Sequence, residues 1–393
     1  MSAVSRPGGA LLLGADYRAL GVARSLGRHG VPVWVIAERA EPLASVSRYA
    51  QRSLRWPHGG DEERVAFLRE LAMSNGLRGW ALIPSSDVSA AMVARRHDDL
   101  ASHYMHTTPP WDVLRWAYDK RLTYELAERV GVPCPVTLGR ADALDAVRFP
   151  AVLKPAVKEH VNALTTAKAW RVDDADQLLR RHAEAVQLLE PDLLVVQELI
   201  PGGGETQLSY AALCRDGVPV ASLSARRTRQ YPADFGRAST FVETVECAEV
   251  VQPSMWLIDA MRYTGLIEIE YKRDPRDGVL KLLDMNPRVW GWHTLCGRAG
   301  VDFPWLLWLM ISGQELPSSN ARPGVGWIRF TTDTPTAVRE LLGKRLTLRE
   351  YARSLRRPRE SAIFAWDDPL PGLCEVPVLA YVLARRLLSG DAV

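Results

Sequence analysis

Hydrophobic and polar residues alternate strictly from Ile267 to Tyr271, and this pattern predicts a half-buried β-strand. Apolar residues at every second position fall on one face, whereas Glu268 and Glu270 share the other. The turn-forming sequence RDPRDG follows, and the chain returns as VLKLLDMN, in which Asp284 and Asn286 are again two positions apart. The sequence therefore predicts a hairpin that brings two polar pairs together.

The polar pairs of this hairpin suit a magnesium-nucleotide site. Glu270, Asp284 and Asn286 would supply the carboxylate and amide oxygens that hard cations prefer. Arg288 follows closely and would hold a phosphoryl oxygen. A half-exposed hairpin with a solvated acidic face produces the same pattern. These residues alone do not decide between the two interpretations.

Residues 9–36 have the pattern of a β-α-β unit, with the apolar run ALLLGA, an amphipathic stretch that ends at Gly30, and a second apolar run, VPVWVIA. Gly14 lies at the first strand-to-helix turn, but GADYRALG lacks the GxGxxG pattern of dinucleotide-binding folds. We therefore expect a doubly wound scaffold domain here rather than a dinucleotide site.

A later strand of this domain, WALIPSSD, ends in two polar candidates for the substrate side. They are Ser86 and Asp87, because strand ends in open α/β sheets often line the ligand crevice. Asp87 would equally well cap the helix that follows. Both interpretations stay open from the sequence.

The middle of the chain contains most of the protein's few lysines, since arginine occupies most basic positions. FPAVLKPA predicts a strand that carries Lys154, and TTAKAWRV predicts a second strand that carries Lys168. Lys120 and Lys158 lie in the same part of the chain. Such clustering favours sites that need a compact ammonium group, as phosphate sites often do.

The overall composition narrows the class of protein. The 393 residues are 47% hydrophobic and 24% charged, which is typical of a globular protein with two or three domains. A net charge of +3 argues against nucleic acid as the main partner. The five cysteines form no CxxC pair, we expect no signal peptide, and the longest apolar run, 303–311, is too short to cross a bilayer. We therefore expect a cytoplasmic protein that acts on small molecules.

From residue 11 to residue 313 the succession of motifs resembles the ATP-grasp superfamily, and in particular its carboxylate-amine ligase branch. The motifs that carry the likeness are Asp119-Lys120 before a helix that ends in GVPCP, then FPAVLKP, VVQELIPGG, IEIEYKRD and LLDMNPR. The resemblance implies an α/β fold whose ATP-binding part consists of two α+β subdomains. The implied domains are a doubly wound, Rossmann-like domain over 1–110, an ATP-grasp domain over 111–313 with a lid at about 150–200, and a small appendage over 314–393.

The resemblance also implies ATP and two Mg²⁺ ions as cofactors, with Mn²⁺ as an alternative metal. The lysines would contact the phosphates and the adenine, the hinge after residue 196 would hold the adenine, and a glutamate would bind the ribose. These implied nucleotide contacts are Lys120, Lys154, Lys168, Gln197, Glu198, Leu199, Ile200 and Glu205. The implied metal ligands are Glu270, Asp284 and Asn286, and the implied catalytic residues are Arg288 and Lys168.

Two features depart from the family pattern. The loop over residues 156–166, AVKEHVNALTT, lacks the glycines that usually let backbone amides fold over phosphates. Family members more often carry glutamate at the position of Asp284, whose shorter side chain would change how metal ions are bridged.

Two further groups are candidates for the substrate side. Arg226, Arg227 and Arg229 would form a fork for a carboxylate, or would lie on the solvated surface as clustered arginines usually do. Trp290, Trp292 and His293 would wall a pocket, or the two indoles would belong to the core.

The segment after residue 313 is expected to contain a strand, GWIRFTT, two basic helices and a closing helix, VPVLAYVLARRLL. Its arginine-rich stretch, 353–359, would touch an acidic partner or a membrane surface, or would form a solvated helix face.

Together these patterns predict an ATP-dependent ligase that joins a carboxylate, activated as an acyl phosphate, to an amine, with amino-acid-like substrates and release of ADP and phosphate. The alternatives are a nucleotide-binding protein without turnover and a nicotinamide oxidoreductase that uses the N-terminal unit. The predicted partners are small molecules, and the sequence leaves a homodimer open.

Overall fold

The computed structural model describes residues 6–38, 42–138, 147–157, 159, 162–231, 236, 238–356 and 359–377. Three β-sheets, one parallel and two largely antiparallel, organise this part of the chain. This mixed α/β architecture agrees with the predicted fold class.

The N-terminal sheet is parallel and has the order β3-β2-β1-β4-β5. Its strands are β1 (Ala10–Leu13), β2 (Val33–Ala37), β3 (Arg52–Arg55), β4 (Trp80–Pro84) and β5 (Tyr104–His106). Its helices are α1 (Tyr17–Arg28), α2 (Asp61–Ser74), α3 (Asp87–Arg95) and α4 (His97–Ala101). Successive residues of β1 belong to two separate apolar clusters, because neighbouring side chains of a strand point to opposite faces. The sheet is therefore covered on both faces, as in a doubly wound fold.

The turn between β1 and α1 needs a residue without a side chain. Gly14 has φ +136°, and a Cβ atom there would lie 2.0 Å from the hydroxyl oxygen of Ser85. Asp16 then caps α1 by accepting hydrogen bonds from the backbone amides of Arg18 and Ala19. This turn lies beside the cleft described below.

The second sheet is antiparallel, has the order β6-β9-β7-β8 and forms the lid of the cleft. Its strands are β6 (Thr137–Leu138), β7 (Ala151–Pro155), β8 (Trp170–Val172) and β9 (Leu194–Glu198). Two helices, α5 (Trp111–Tyr118) and α6 (Lys120–Arg129), precede the lid, and α7 (Ala163–Ala167) and α8 (Ala175–Ala185) belong to it.

The prediction that Lys168 lies on a strand is wrong. Asn162 caps the short helix α7 by accepting a hydrogen bond of 2.9 Å from the backbone amide of Thr165. Lys168 ends this helix with φ +73°, and the strand begins only at Trp170. Within the loop over residues 156–166, positions 158, 160 and 161 lie outside the described residues.

The third sheet has seven strands in the order β14-β13-β10-β11-β12-β15-β16 and is antiparallel except for its last pair. Its strands are β10 (Gln207–Arg215), β11 (Val218–Tyr231), β12 (Ala238–Val245), β13 (Gly265–Arg273), β14 (Leu280–Asn286), β15 (Gly326–Ile328) and β16 (Arg359–Ser361). The helices α9 (Val251–Met261), α10 (Thr294–Ala299) and α11 (Phe303–Ile311) accompany it. Helix α9 packs on one face, while residues of α1, α10 and α11 share a core on the other.

Strands β13 and β14 form the hairpin that the alternating pattern predicts. Glu268 pairs with Asn286 and Glu270 with Asp284 in antiparallel register, and a bulge follows Glu270. The two polar pairs therefore lie on the same face of the sheet.

The C-terminal segment contributes to the large sheet, because β15 pairs with β12 and β16 pairs with β15. The predicted strand GWIRFTT ends at Ile328, and helix α12 (Phe330–Leu342) begins within it. Helix α13 (Leu348–Arg356) follows. The predicted closing helix lies outside the described residues from position 378 onward, and the predicted domain limits stay predictions. Among the helices that the structure describes, none has both the length and the apolar character needed to cross a bilayer.

Candidate functional site

The polar residues of the hairpin are buried in the cleft between the lid and the large sheet. Glu268, Glu270, Asp284 and Asn286 are each at most 7% exposed. The interpretation as a solvated acidic face is therefore wrong, because buried carboxylates need partners that replace water.

Asn286 links the carboxylates to one another. Its amide nitrogen donates hydrogen bonds of 3.1 Å to Glu268 and 3.0 Å to Glu270. Glu268 also accepts from the hydroxyl of Ser209 at 3.0 Å and from the indole N–H of Trp292 at 2.8 Å. The side chain of Glu268 is thus held in one position.

The two glutamates titrate differently although they are neighbours on one face. Burial, followed by repulsion from Glu270, raises the pKa of Glu268 to about 7. Burial alone would also raise the pKa of Glu270, but the charges of Arg227 and Lys168 and the amide of Asn286 bring it below its ordinary value. Glu270 is therefore the carboxylate that stays ionised.

Two cations hold the carboxylates on the cleft side. Nη2 of Arg227 lies 2.9 Å from Oε1 of Glu270, and Nζ of Lys120 lies 2.6 Å from Oδ1 of Asp284. Lys120 was a predicted site residue, whereas Arg227 was considered only as part of a carboxylate fork. Neighbouring residues of a strand point to opposite faces of the sheet. The position of Arg227 next to Arg226 in β11 was therefore the signal that only one of the two would face the cleft.

The predicted arginine fork does not form, because the three side chains diverge. Arg226 is exposed, and its Nε lies 3.7 Å from Oε1 of Glu243. Arg229 is buried and binds Asp333 of α12 through two hydrogen bonds of 2.8 Å. Irregularities in the pairing of β11 with β12 accompany this divergence. Only Arg227 reaches the polar residues of the hairpin.

Arg288 is oriented by the N-terminal domain. Its Nε and Nη2 donate to the two oxygens of Asp87 at 2.7 and 3.0 Å, and Nη2 also donates to Oδ1 of Asn286 at 3.1 Å. The residue that caps α3 is Ser86, whose hydroxyl accepts from the backbone amide of Ser89 at 3.1 Å. The interpretation of Asp87 as a cap is therefore wrong, and its place on the substrate side stays a prediction.

The lid lysines approach the hinge and the large sheet. Nζ of Lys154 donates to Gln197 at 2.7 Å and to the hydroxyl of Tyr124 at 2.8 Å. Nζ of Lys168 donates to the backbone carbonyl of Gly236 at 3.3 Å. The sequence offered no signal for Tyr124, because its contact depends on how α6 packs against the lid.

The hinge is tied to the hairpin by buried and half-exposed cations. Lys272 donates to the carbonyls of Ile200 at 2.9 Å and Gly202 at 2.6 Å. The carboxylate of Glu198 lies 2.7 Å from Nη2 of Arg276 in the hairpin turn. The same residues that form the hairpin therefore also fix the hinge.

A narrow slot of about 90 Å³ lies between the lid and the large sheet. Seven of the eight predicted nucleotide contacts line it, and they are Lys120, Lys154, Lys168, Gln197, Glu198, Leu199 and Ile200. The eighth, Glu205, is exposed and lines a larger outer cavity of about 840 Å³ that α12 and α13 also border. The nucleotide roles of these residues stay predictions.

A second cavity, of about 210 Å³, adjoins the slot, and both are lined by Lys168, Glu270 and Asp284. We call it the acidic cavity after the hairpin carboxylates, although four cationic side chains also line it. Asn286 and Arg288 also line the acidic cavity, so that all three predicted metal ligands and both predicted catalytic residues border one space. Their roles in binding and catalysis stay predictions.

The two indoles beyond Arg288 have different environments. Trp290 is fully buried in the core, so that its interpretation as a pocket wall is wrong. Trp292 packs in the same core but also lines the acidic cavity, where it donates to Glu268. His293 is buried, and burial lowers its pKa to about 4.

The side chains of the hairpin fit a magnesium ion that is bound together with phosphates. No cluster of three His, Cys, Asp or Glu side chains in the described ranges is arranged to hold a metal by itself. Magnesium usually takes only one or two carboxylates and completes its coordination with water and substrate phosphates. Glu270 and Asp284 satisfy that requirement, and a half turn of the Asn286 amide would present its oxygen to them.

Comparisons with known proteins bear on the same fold. No family model matches the chain. A D-aspartate ligase of Enterococcus faecium (strain Aus0004) is 23% identical over 303 residues, which are 71% of this chain and 70% of that protein. The crystal structure of an L-amino acid ligase from Bacillus licheniformis superimposes with a TM-score of 0.62 at 15% identity, covering 82% of this chain and 79% of that one.

A second similar structure is the biotin carboxylase domain of the 2-oxoglutarate carboxylase of Hydrogenobacter thermophilus, in complex with MgADP, ADP and bicarbonate. It has a TM-score of 0.62 and 15% identity and covers 80% of this chain and 73% of that one. The predicted resemblance is therefore confirmed at the level of the fold, and the chain has the ATP-grasp fold that these structures share.

Proposed function

We propose that this protein is an ATP-dependent ligase that joins a carboxylate to an amine and releases ADP and phosphate. The observation that carries the proposal is the meeting of lid lysines, hairpin carboxylates and Arg288 around two adjoining cavities. The relatives support amino-acid-like substrates, since one is a D-aspartate ligase and another an L-amino acid ligase.

The cleft would bind ATP with its adenine in the slot and its phosphates toward the acidic cavity. Glu270, Asp284 and Asn286 would hold Mg²⁺, which neutralises charge on the phosphates when it is bound. Lys120 and Lys168 would bind phosphate oxygens. Two metal ions, or Mn²⁺ instead of Mg²⁺, belong to the same proposal.

In the first chemical step an oxygen of the substrate carboxylate attacks the γ-phosphorus of ATP, and the bond to ADP breaks. This gives an acyl phosphate and ADP. Arg288 would stabilise the negative charge on the transferred group, because Asp87 and Asn286 keep its guanidinium aimed at the cavity edge.

In the second step the amine nitrogen attacks the acyl carbon, the bond to phosphate breaks and the amine loses a proton. Arg288 would again stabilise the oxyanion. The slot and the lid would exclude water, which would otherwise hydrolyse the acyl phosphate.

The proposal is tested by phosphate release from ATP and Mg²⁺ over a panel of amino acids and small carboxylates. We expect release that depends on an acid and an amine, and a fall in kcat of at least about 100-fold in Asp284→Asn and Lys154→Ala. The controls Asp112→Asn and Lys344→Asn change exposed residues outside the cleft and should behave as the wild type.

The alternative, a nucleotide-binding protein without turnover, is favoured by the pairing of two of the three hairpin carboxylates, Asp284 and Glu270, with protein cations. Equilibrium binding of ATP with no phosphate release from any mixture would support it. Absence of ATP binding would contradict both proposals.

A further inference from the structure

The first turn of α1 contributes to the wall of the acidic cavity. Tyr17 and Arg18 line the cavity there, together with Gly291 and Trp292. These two α1 residues have no role in the proposed transfer of the phosphoryl group.

Arg18 retains hydrogen-bonding capacity. Its Nε and Nη2 lie 2.7 and 2.6 Å from a single oxygen of Asp16, whose other oxygen caps α1. A guanidinium has five N–H donors. Within the ranges that the structure describes, Nη1 of Arg18 has no hydrogen-bond partner, and its side chain is 23% exposed. Arg288 on the same cavity wall differs, because all three of its guanidinium nitrogens donate hydrogen bonds to the protein.

The hydroxyl of Tyr17 provides a second donor beside Arg18. It makes no hydrogen bond to any residue between positions 6 and 377 that the structure describes. A Cβ atom at Gly291 would lie 2.7 Å from this hydroxyl, so that only glycine leaves room for it. The guanidinium of Arg329 makes a cation–π contact with the ring of Tyr17, and its Cζ lies 4.6 Å from the ring centroid.

We propose that Arg18 and Tyr17 bind a second, non-reacting carboxylate of the substrates in the acidic cavity. A guanidinium edge next to a phenolic hydroxyl suits the two oxygens of a carboxylate. The cavity of about 210 Å³ has the volume of about seven water molecules, so the ligand is small. The inference rests on the proposed ligase function and names its substrate class: small molecules with two carboxylates, or an amino acid whose α-carboxylate stays free.

The test compares KM values of the wild type and the variants for acids that have or lack a second carboxylate. Hydroxamate formation with hydroxylamine reports the acyl phosphate. The dicarboxylates offered are succinate, aspartate and glutamate, and each is compared with its monoamide, which is succinamate, asparagine or glutamine. In Arg18→Gln we expect the KM for the dicarboxylates to rise about 10- to 100-fold, and in Tyr17→Phe a few-fold. The KM values for the monoamides and for ATP should not change, and the exposed control Arg69→Gln should match the wild type.

A second arm keeps the acid constant and compares amino acids with their α-amides as the amine. An effect of Arg18→Gln confined to this arm assigns the carboxylate to the amine substrate and supports the inference. The inference is overturned if Arg18→Gln affects mono- and dicarboxylates equally, alters only the KM for ATP, or has no effect.

If the wild type forms no hydroxamate and releases no phosphate, the proposed function fails. Thermal shifts with succinate and succinamate then decide the role of Arg18. A shift with succinate that is absent in Arg18→Gln supports the carboxylate site, and equal shifts in both proteins, or no shift, exclude it.

Discussion

At the scale of single residues, the site depends on which partner each charged group has. Glu270 stays ionised because Arg227 offsets its burial, whereas burial and repulsion from Glu270 raise the pKa of Glu268 to about 7 despite the charges of Arg227 and Arg288. Arg288 is held through both oxygens of Asp87, a residue 201 positions away. The function proposed for Arg288 therefore requires the N-terminal domain to be in place.

Asp87→Asn tests this dependence. Asparagine keeps the size of the side chain but has one acceptor oxygen and no charge, so it cannot hold the guanidinium through two charge-assisted bonds. We expect kcat for phosphate release to fall about 10- to 100-fold while the KM for ATP changes little. Asp112→Asn is the control, because Asp112 is exposed. An unchanged kcat in Asp87→Asn would show that Arg288 does not need this partner.

At the scale of elements, the C-terminal segment is joined to the cleft by buried ion pairs. β15 and β16 extend the large sheet, and Arg229 of β11 binds Asp333 of α12, with side chains that are 2% and 0% exposed. The outer cavity lies between these helices and the hinge. Residues after 313 therefore form part of the wall beside the cleft.

Asp333→Ala should destabilise the protein strongly, because it leaves the buried guanidinium of Arg229 without its counter-ion. We expect a loss of about 3–5 kcal/mol of unfolding free energy, measured by denaturant or thermal unfolding. Glu184→Ala removes the exposed pair with Arg181 and should change stability by less than about 1 kcal/mol. The double change Arg229→Met with Asp333→Leu should recover part of the loss. Equal effects of Asp333→Ala and Glu184→Ala would contradict a structural role for the buried pair.

At the scale of the whole molecule, three sheets meet at one cleft, and α1 joins the N-terminal sheet to the large one. The approach of α1 depends on Gly21, since a Cβ atom there would lie 2.5 Å from both Nε2 of His293 and Cγ2 of Thr294. His293 cannot easily move, because it is buried and its Nδ1 is bonded to the carbonyl of Trp290. The C-terminal segment adds a further link, in which Arg24 of α1 binds Asp368 at 2.9 Å.

Gly21→Ala tests the docking of α1. Alanine would favour the helix by about 1 kcal/mol, but overpacking against a fixed side chain costs about 1–3 kcal/mol. We expect a net fall in Tm of about 1–3 °C and a rise in the KM for the carboxylate substrate, because Tyr17 and Arg18 move with the helix. Thr294→Ser in the same chain removes one of the two clashes and should restore part of the Tm. A higher Tm in Gly21→Ala would mean that His293 and Thr294 move enough to accommodate the added methyl group.

The sequence by itself determined the local chemistry of this protein. The period-two pattern and the turn residues predicted the hairpin of β13 and β14, and the β-α-β pattern predicted the parallel sheet, because both signals lie within a few neighbouring residues. The motif order predicted the fold that the comparisons confirm. The sequence-based prediction of a strand at Lys168 was wrong, because the helix cap at Asn162 favours a helical turn there over a strand.

Only the tertiary structure decided which side chains meet. Arg288 with Asp87, Lys154 with Tyr124, and Arg229 with Asp333 are pairs between elements that lie far apart in the chain. No periodicity encodes such a contact, because it depends on how sheets and helices pack and where strand irregularities turn a side chain. For the same reason the sequence could propose Arg227 only as one of three arginines, whereas the fold brings it alone to Glu270.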